Sequence, residues 1–382
     1  MSLGIYIHLP FCLRKCKYCD FNSYPDKLDL IDDYIYAVVS EIRNPKSEIR
    51  NGISSIYFGG GTPSLVSPEH IRRLISALTP KPNEIEITLE ANPGTVDLEK
   101  LKQYQQAGIN RISFGIQTFD DLVLEAMGRV HQVQDNFASY QFAREAGFDN
   151  ISFDLIFGYP GQTLESWKET IEQTIALRPE HISAYGLTIE PDTKLYQEVQ
   201  LGETQPIDEE IELDMYQFAI KQLKQAGYIH YEISNFALPG PDQRSLGVVG
   251  RKCQHNLNYW NDSDYLGFGT SAHSYLNGER YWNIDSPEEY IQRIKQGQSP
   301  VIGRERLEGK QKMAEYAMLT LRTNQGVDIK KFYDKFQQEF TEVFKSDLPD
   351  LFASGLLIQN NQHILLTEKG ILLSNEVFSQ LF

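Results

Sequence analysis

Cys12-Leu-Arg-Lys-Cys16-Lys-Tyr-Cys19 gathers three of the chain's four cysteines into eight residues, directly after the apolar run Gly4-Ile-Tyr-Ile-His-Leu-Pro10. No other feature constrains the chain as much. Three thiolates this close together grip one small inorganic centre, and soft sulfur ligands select zinc, copper(I) or an iron–sulfur cluster. Structural zinc sites are closed and built from paired C-x2-C elements, which a C-x3-C-x2-C run fits poorly. The remaining position is either closed by Cys253, far along the chain, or left open, and the open position is the sharper reading.

The rest of the composition narrows the setting. Four cysteines with three clustered make no disulfide framework, which points to a reducing compartment and a cytoplasmic protein. Against 36 Lys and Arg stand 52 Asp and Glu, a net charge of -16 that repels phosphate backbones and argues against nucleic acid as a partner. Met1-Ser-Leu-Gly runs straight into a strand pattern with no signal peptide. No apolar run reaches the roughly 18 residues a membrane helix needs, so membrane contact is peripheral at most. At 382 residues the chain has room for one large domain and a smaller one.

The first half repeats one unit: a β-branched or aromatic strand, a polar turn, then a helix. Strand patterns fall at Gly4–Leu9, Ile53–Phe58, Glu84–Leu89, Arg111–Ile116, Ile151–Phe157 and His181–Leu187. Six βα units predict a parallel sheet with right-handed crossovers, open or closed into a barrel. Unusual polar residues recur at the C-terminal ends of these strands: the cysteines, Gly60, Gly61, Glu90, Gln117, Asp154 and Thr188. In βα barrels that end carries the chemistry, so all of them are expected to face one cavity. Each also has a plainer reading. Gly59-Gly-Gly-Thr62 serves equally as a flexible turn or as backbone that lets a ligand approach and offers N–H groups to an anion. Glu90 can cap a helix. Asp154 interrupts the apolar run Ile151-Ser-Phe-Asp-Leu-Ile-Phe, where a carboxylate needs a partner.

Taken together, Cys12-x3-Cys16-x2-Cys19, Gly59-Gly-Gly-Thr-Pro, Glu90-x-Asn-Pro, Gly115-Ile-Gln117 and Asp154-Leu-Ile-Phe-Gly resemble the radical S-adenosylmethionine superfamily. Within it they resemble the oxygen-independent coproporphyrinogen III oxidases and their relatives. The resemblance implies a partial (βα)6 barrel and a [4Fe–4S] cluster on Cys12, Cys16 and Cys19, its fourth iron open to S-adenosylmethionine. By matching motif it implies cofactor contacts at Tyr6, Tyr18, Gly60, Gly61, Thr62, Glu90, Gln117, Arg129, Asp154 and Thr188, with Arg129 placed only by its spacing from Gln117.

Two features set the chain apart from decarboxylating members. Phe21 stands where they carry a further cysteine, and the first strand begins at once, without their long N-terminal arm. Both features are similar to the HemW-type haem chaperones of the family, as is His255-Asn256-Leu-Asn-Tyr259-Trp260. An imidazole ligates haem iron and aromatic rings cover porphyrin faces, although the same residues serve as a hydrogen-bonded histidine and core anchors. The resemblance makes His255, Asn256, Tyr259 and Trp260 the haem-binding candidates. Cys253 is read as an ordinary free thiol, and His8 as a hydrogen-bonding residue near the cysteine loop with no chemistry of its own. The implied function is to bind haem and pass it to acceptor proteins. The alternative is oxidative decarboxylation of coproporphyrinogen III, with an electron donor needed for any radical chemistry. A homodimer is compatible with either function.

The division expected is a barrel core over residues 1–235, a connecting segment with the haem element over 236–300, and a C-terminal unit over 301–382. In the last unit, helical patterns at Leu307–Leu321, Ile329–Phe340 and about Phe344–Ala353 precede two short strands around Asn360-Asn361 and a final helix. This order resembles a winged-helix module, which the acidic balance assigns to a lid or partner surface rather than to DNA.

Overall fold

The computed structural model describes residues 3–43, 52–78, 85–240 and 251–381. Six strands occur where the alternation puts them: β1 (Leu3–Leu9), β2 (Ile53–Gly60), β3 (Glu86–Ala91), β4 (Arg111–Gln117), β5 (Ile151–Phe157) and β6 (His181–Gly186). They pair in parallel in chain order. Residue 84, the start expected for the third strand, lies outside the described residues.

The helices between the strands start at the signals the sequence carries. Ser67 accepts from the His70 N–H ahead of Pro68–Ala77, Asp97 from Lys100 ahead of Leu98–Ala107, and Thr163 from Ser166 ahead of Leu164–Leu177. Each such cap satisfies an N–H that has no partner within its helix, and is worth about 1 kcal/mol. Behind the sheet lies the main core, in which Ile56, Phe58, Ile112, Phe114, Phe153 and Trp167 are fully buried.

The six strands do not close on themselves. At one edge β6 pairs with β8 (Asn235–Ala237), which pairs with β7 (Ile229–Glu232). At the other edge β1 is followed by β9 (Tyr265–Phe268), β10 (His273–Leu276), β11 (Glu279–Asn283) and β12 (Val301–Glu305). The result is a twelve-stranded sheet whose central six strands form the partial barrel. Residues 265–283, expected as a connection, are therefore sheet, and Val301–Glu305 is its last strand.

A second core gathers Phe332, Phe340, Phe344, Leu351, Ile364 and Val377. Around it lie the helices Gly309–Leu321, Ile329–Phe336 and Leu348–Ala353. A small sheet completes it: β13 (Val327–Asp328), β14 (Leu357–Asn360) and β15 (His363–Leu366), in the order β13-β15-β14. The hairpin turns at Asn361, which takes the left-handed φ of 53° that asparagine tolerates. The helix expected over Ile329–Phe340 stops at Phe336 because Gln337 is left-handed (φ 52°). Lys312 joins the two parts with an ion pair to buried Asp262 at 2.8 Å, and Lys335 bonds the same carboxylate. No helix among the described residues is long and apolar enough to cross a membrane.

Candidate functional site

Side chains alternate along a strand, and here the alternation sorts core from cavity. On β4, Ile112, Phe114 and Ile116 pack behind the sheet, while Arg111, Ser113, Gly115 and Gln117 line a cavity in front. Asp154 and Ile156 of β5, and Ser183 and Tyr185 of β6, line the same space of about 370 Å³. Cys12, Cys16 and Cys19 stand at its mouth. Thus the strand ends do converge, and beneath them the strand interiors contribute a polar wall.

At the mouth, the cysteine loop and the glycine loop are laced together by backbone. Gly61 N–H donates to Leu9 O (2.9 Å) and Thr62 N–H to Phe11 O (2.7 Å). A Cβ on Gly61 would lie 2.6 Å from Phe11 O, and one on Gly60, left-handed at φ 113°, would lie 2.5 Å from the His8 ring. These glycines line the cavity, but the close approach they permit is to the protein's own cysteine loop. His8 Nε2 donates to Asn22 O at 2.8 Å, leaving Nδ1 to accept from Tyr6 OH at 3.0 Å. Burial lowers its pKa to about 4, so the ring is neutral and ties Asn22 to β1 without charge. Tyr6 is thus a neighbour of His8 and does not line the cavity.

One chain of hydrogen bonds connects two of the thiols. The Cys12 thiol meets Thr62 Oγ1 at 3.5 Å, Asn92 Nδ2 donates to Thr62 Oγ1 at 2.8 Å, and Arg129 Nη2 donates to Asn92 Oδ1 at 2.6 Å. Arg129 Nη1 closes the path on Cys16 Sγ at 3.5 Å, while Nη2 also reaches Gly115 O at 2.9 Å. A Cβ on Gly115 would meet Asn92 Oδ1 and Gln117 Nε2, both at 2.8 Å, so that glycine makes room for the clamp. Gln117 itself is left-handed (φ 64°) at a register slip between β4 and β5, strain of the kind concentrated at functional sites. Tyr18 lies edge-on to Tyr159, with ring centroids 6.3 Å apart, and lines the cavity.

The donor set fits an iron–sulfur cluster. Burial raises the Cys12 thiol and pushes that of Cys19 up to about 11, so deprotonation awaits a cation. Among the described residues no three His, Cys, Asp or Glu side chains gather closely enough to hold one metal ion. A cubane takes one cysteine sulfur per iron, which three thiols around one cavity mouth can supply.

In the middle of the cavity, Glu90 accepts from Tyr57 OH at 2.9 Å and from Gly60 N–H at 3.2 Å. Burial, then the nearby Asp154, raise its pKa to about 7. Ser113 donates to Asp154 at 2.9 Å, giving the buried carboxylate the partner it needed. Thr188 lines the cavity from the loop after β6, and Phe21 is an exposed apolar residue at the mouth.

The other end of the cavity is closed by the helix Gln254–Trp260. Its N-terminus is met by the Glu86 carboxylate, which accepts from the N–H groups of Gln254 and His255, each at 3.2 Å. Cys253 donates to the same carboxylate at 3.6 Å. His255 is fully buried: Nδ1 is bonded to Ser55 Oγ (3.0 Å), Nε2 to Tyr259 OH (2.9 Å), and the ring stacks on Tyr57 at 5.0 Å. Burial and the Arg111 charge lower its pKa to about 3. Trp260 lies under the Arg322 guanidinium (4.4 Å) and does not line the cavity, whereas Asn256 does. The four haem candidates therefore share one short helix but not one surface. The alternation on β4 and β2 carried a further signal, since it places Arg111 and Tyr57 on the same face as Gly115 and Gly59. Asn92 stands in the Glu90-x-Asn-Pro motif, but its role as the link between Thr62 and Arg129 shows only in three dimensions.

This combination of open barrel, cysteine mouth and helical floor has known relatives. Residues 6–174 match the model of the radical SAM superfamily and residues 307–373 that of the HemN C-terminal domain. A protein of Bacillus subtilis named heme chaperone HemW is 38% identical over 98% of this chain and 97% of its own length. The chain belongs to the HemW family. The Escherichia coli HemW is 34% identical over 98% of this chain and 97% of its own length. A solved structure described as the radical SAM enzyme coproporphyrinogen III oxidase (HemN) from Escherichia coli has a TM-score of 0.84 and 25% identity, covering all of this chain and 90% of that one. The α/β radical SAM fold with a HemN-type C-terminal domain, expected from the motifs, is the fold observed.

Proposed function

We propose that the chain binds haem and passes it to acceptor proteins, and that Cys12, Cys16 and Cys19 hold a [4Fe–4S] cluster beside exchangeable S-adenosylmethionine. The observation that carries this reading is near-full-length identity to relatives named heme chaperone, set against 25% identity to the oxidase. When bound, the cluster supplies single electrons and an open coordination position, drawing on an external electron donor. Arg129 and Asn92 hold the cysteine loop in register with Thr62, and Gly60, Gly61 and Thr62 form the wall beside it. Glu90 and Asp154 set the charge of the cavity, with Tyr18, Gln117 and Thr188 around its rim. His255, Asn256, Tyr259 and Trp260 supply the haem site. For that role one nitrogen of the neutral His255 ring would give up its bond, to Ser55 or to Tyr259, for the haem iron, and the helix would have to move from its place against β2 to expose the ring.

The competing reading, decarboxylation of coproporphyrinogen III, is favoured by the HemN-like fold and opposed by Phe21. Anaerobic incubation of the cluster-loaded protein with S-adenosylmethionine, coproporphyrinogen III and a reductant decides between them. No protoporphyrinogen IX above the protein-free control is expected. Sustained conversion over many turnovers would return the chain to the oxidases.

A further inference from the structure

Arg111 is only 1% exposed and lies at the floor of the cavity, yet its guanidinium is poorly matched by the protein. It carries five N–H donors and a permanent charge. Its hydrogen bond to Thr88 Oγ1 is long, 3.5 Å, and Nε makes no hydrogen bond, only the long ion pair to Glu86. The carboxylate within reach, Glu86, stands 4.0 Å away and is already shared among Gln254, His255 and Cys253. Glu90 and Asp154, the cavity acids that feel the Arg111 charge, are also engaged, Glu90 with Tyr57 and Gly60, Asp154 with Ser113. Asn256, on the helix that closes this end, also lines the cavity, and its carboxamide makes no hydrogen bond to a described residue. A buried charge left this incompletely paired costs several kcal/mol unless something else completes it.

We propose that the cavity floor is a carboxylate subsite, in which the Arg111 guanidinium and the Asn256 carboxamide receive a carboxylate of the molecule bound in the cavity. A planar fork of N–H donors suits a carboxylate better than any other common anion except phosphate. A haem propionate carries that group, so the subsite rests on the function proposed above. Asn256 gives the His255 element a second task. It faces the ligand from the floor while His255 points into the wall.

The test uses the full-length, cluster-reconstituted chain and three probes: haem, haem dimethyl ester and S-adenosylmethionine. Arg111→Lys keeps the charge but loses the fork. Asn256→Ala removes a side chain that bonds to no described residue, so it remains informative where the buried substitution fails to fold. A propionate source predicts that wild type binds haem at least about tenfold tighter than the ester, a gap of 1.4 kcal/mol. Both variants then narrow the gap to below about threefold by weakening haem alone. Affinity for S-adenosylmethionine, whose amino-acid end belongs at the cluster mouth, stays within about twofold in both variants. A haem-to-ester ratio unchanged in both variants, or a roughly tenfold loss of S-adenosylmethionine affinity in place of haem affinity, overturns the subsite. Wild type that binds neither porphyrin refutes the function proposed above, whereas haem bound with no preference over the ester refutes the subsite alone.

Discussion

Glu86→Ala is expected to destabilise the chain by about 3–5 kcal/mol, the cost of removing one partner of a buried charge pair. Three effects fall on one carboxylate. It caps the helix Gln254–Trp260 through two backbone N–H groups, accepts from Cys253, and is the counter-charge nearest to Arg111. Without it the two N–H groups lose their acceptor and the guanidinium keeps only its long bond to Thr88. Glu86→Gln retains an oxygen acceptor but not the charge, so it is expected to fall between the two. Urea unfolding of the apo protein measures this as a lower midpoint at unchanged slope. A loss below 1 kcal/mol would show that the helix is held mainly by its contacts with β2, with Glu86 incidental.

The second large effect concerns the cysteines. Serine at Cys12, Cys16 or Cys19 is expected to abolish the reconstituted cluster, taking iron from about four per chain to below one, since a hard, protonated hydroxyl does not replace a thiolate on iron. Cys253→Ser is expected to leave iron content unchanged. The sequence alone left open whether Cys253 closes the cluster. The fold speaks against it, because Cys253 bonds to Glu86 at the start of β3, whereas the cysteine loop lies at the ends of the strands. Glu86 and Ala91 are five residues apart on that strand, about 17 Å at 3.3–3.4 Å per residue. Cluster content equal to wild type in Cys16→Ser, or lost in Cys253→Ser, would contradict this arrangement. Iron assay and near-ultraviolet to visible absorbance after anaerobic reconstitution read both outcomes.

Local patterns carried much of this organisation. Six strands and their polar ends were legible because period-two alternation and strand-terminal glycines are local, and Asp154 announced itself by breaking an apolar run. The long-range pairings were not. Residues 265–283 carry strand-length segments, but nothing in them says that β9 pairs in parallel with β1, since that partner lies more than 250 residues earlier. The same limit hid Glu86 and Arg111, which look like ordinary charged residues at strand starts until the helix Gln254–Trp260 is set upon them. It also hid the setting of His255. The motif located the residue, while only the packing shows both ring nitrogens engaged.

Because His255 starts from a closed position, haem titration of the reconstituted chain, wild type beside His255→Ala, tests the central claim most directly. The account predicts one haem bound per chain with a shifted Soret band, and at least tenfold weaker binding in the variant, about 1.4 kcal/mol or more. Wild-type affinity and an unchanged Soret band in His255→Ala would contradict it and place the iron ligand elsewhere in the molecule.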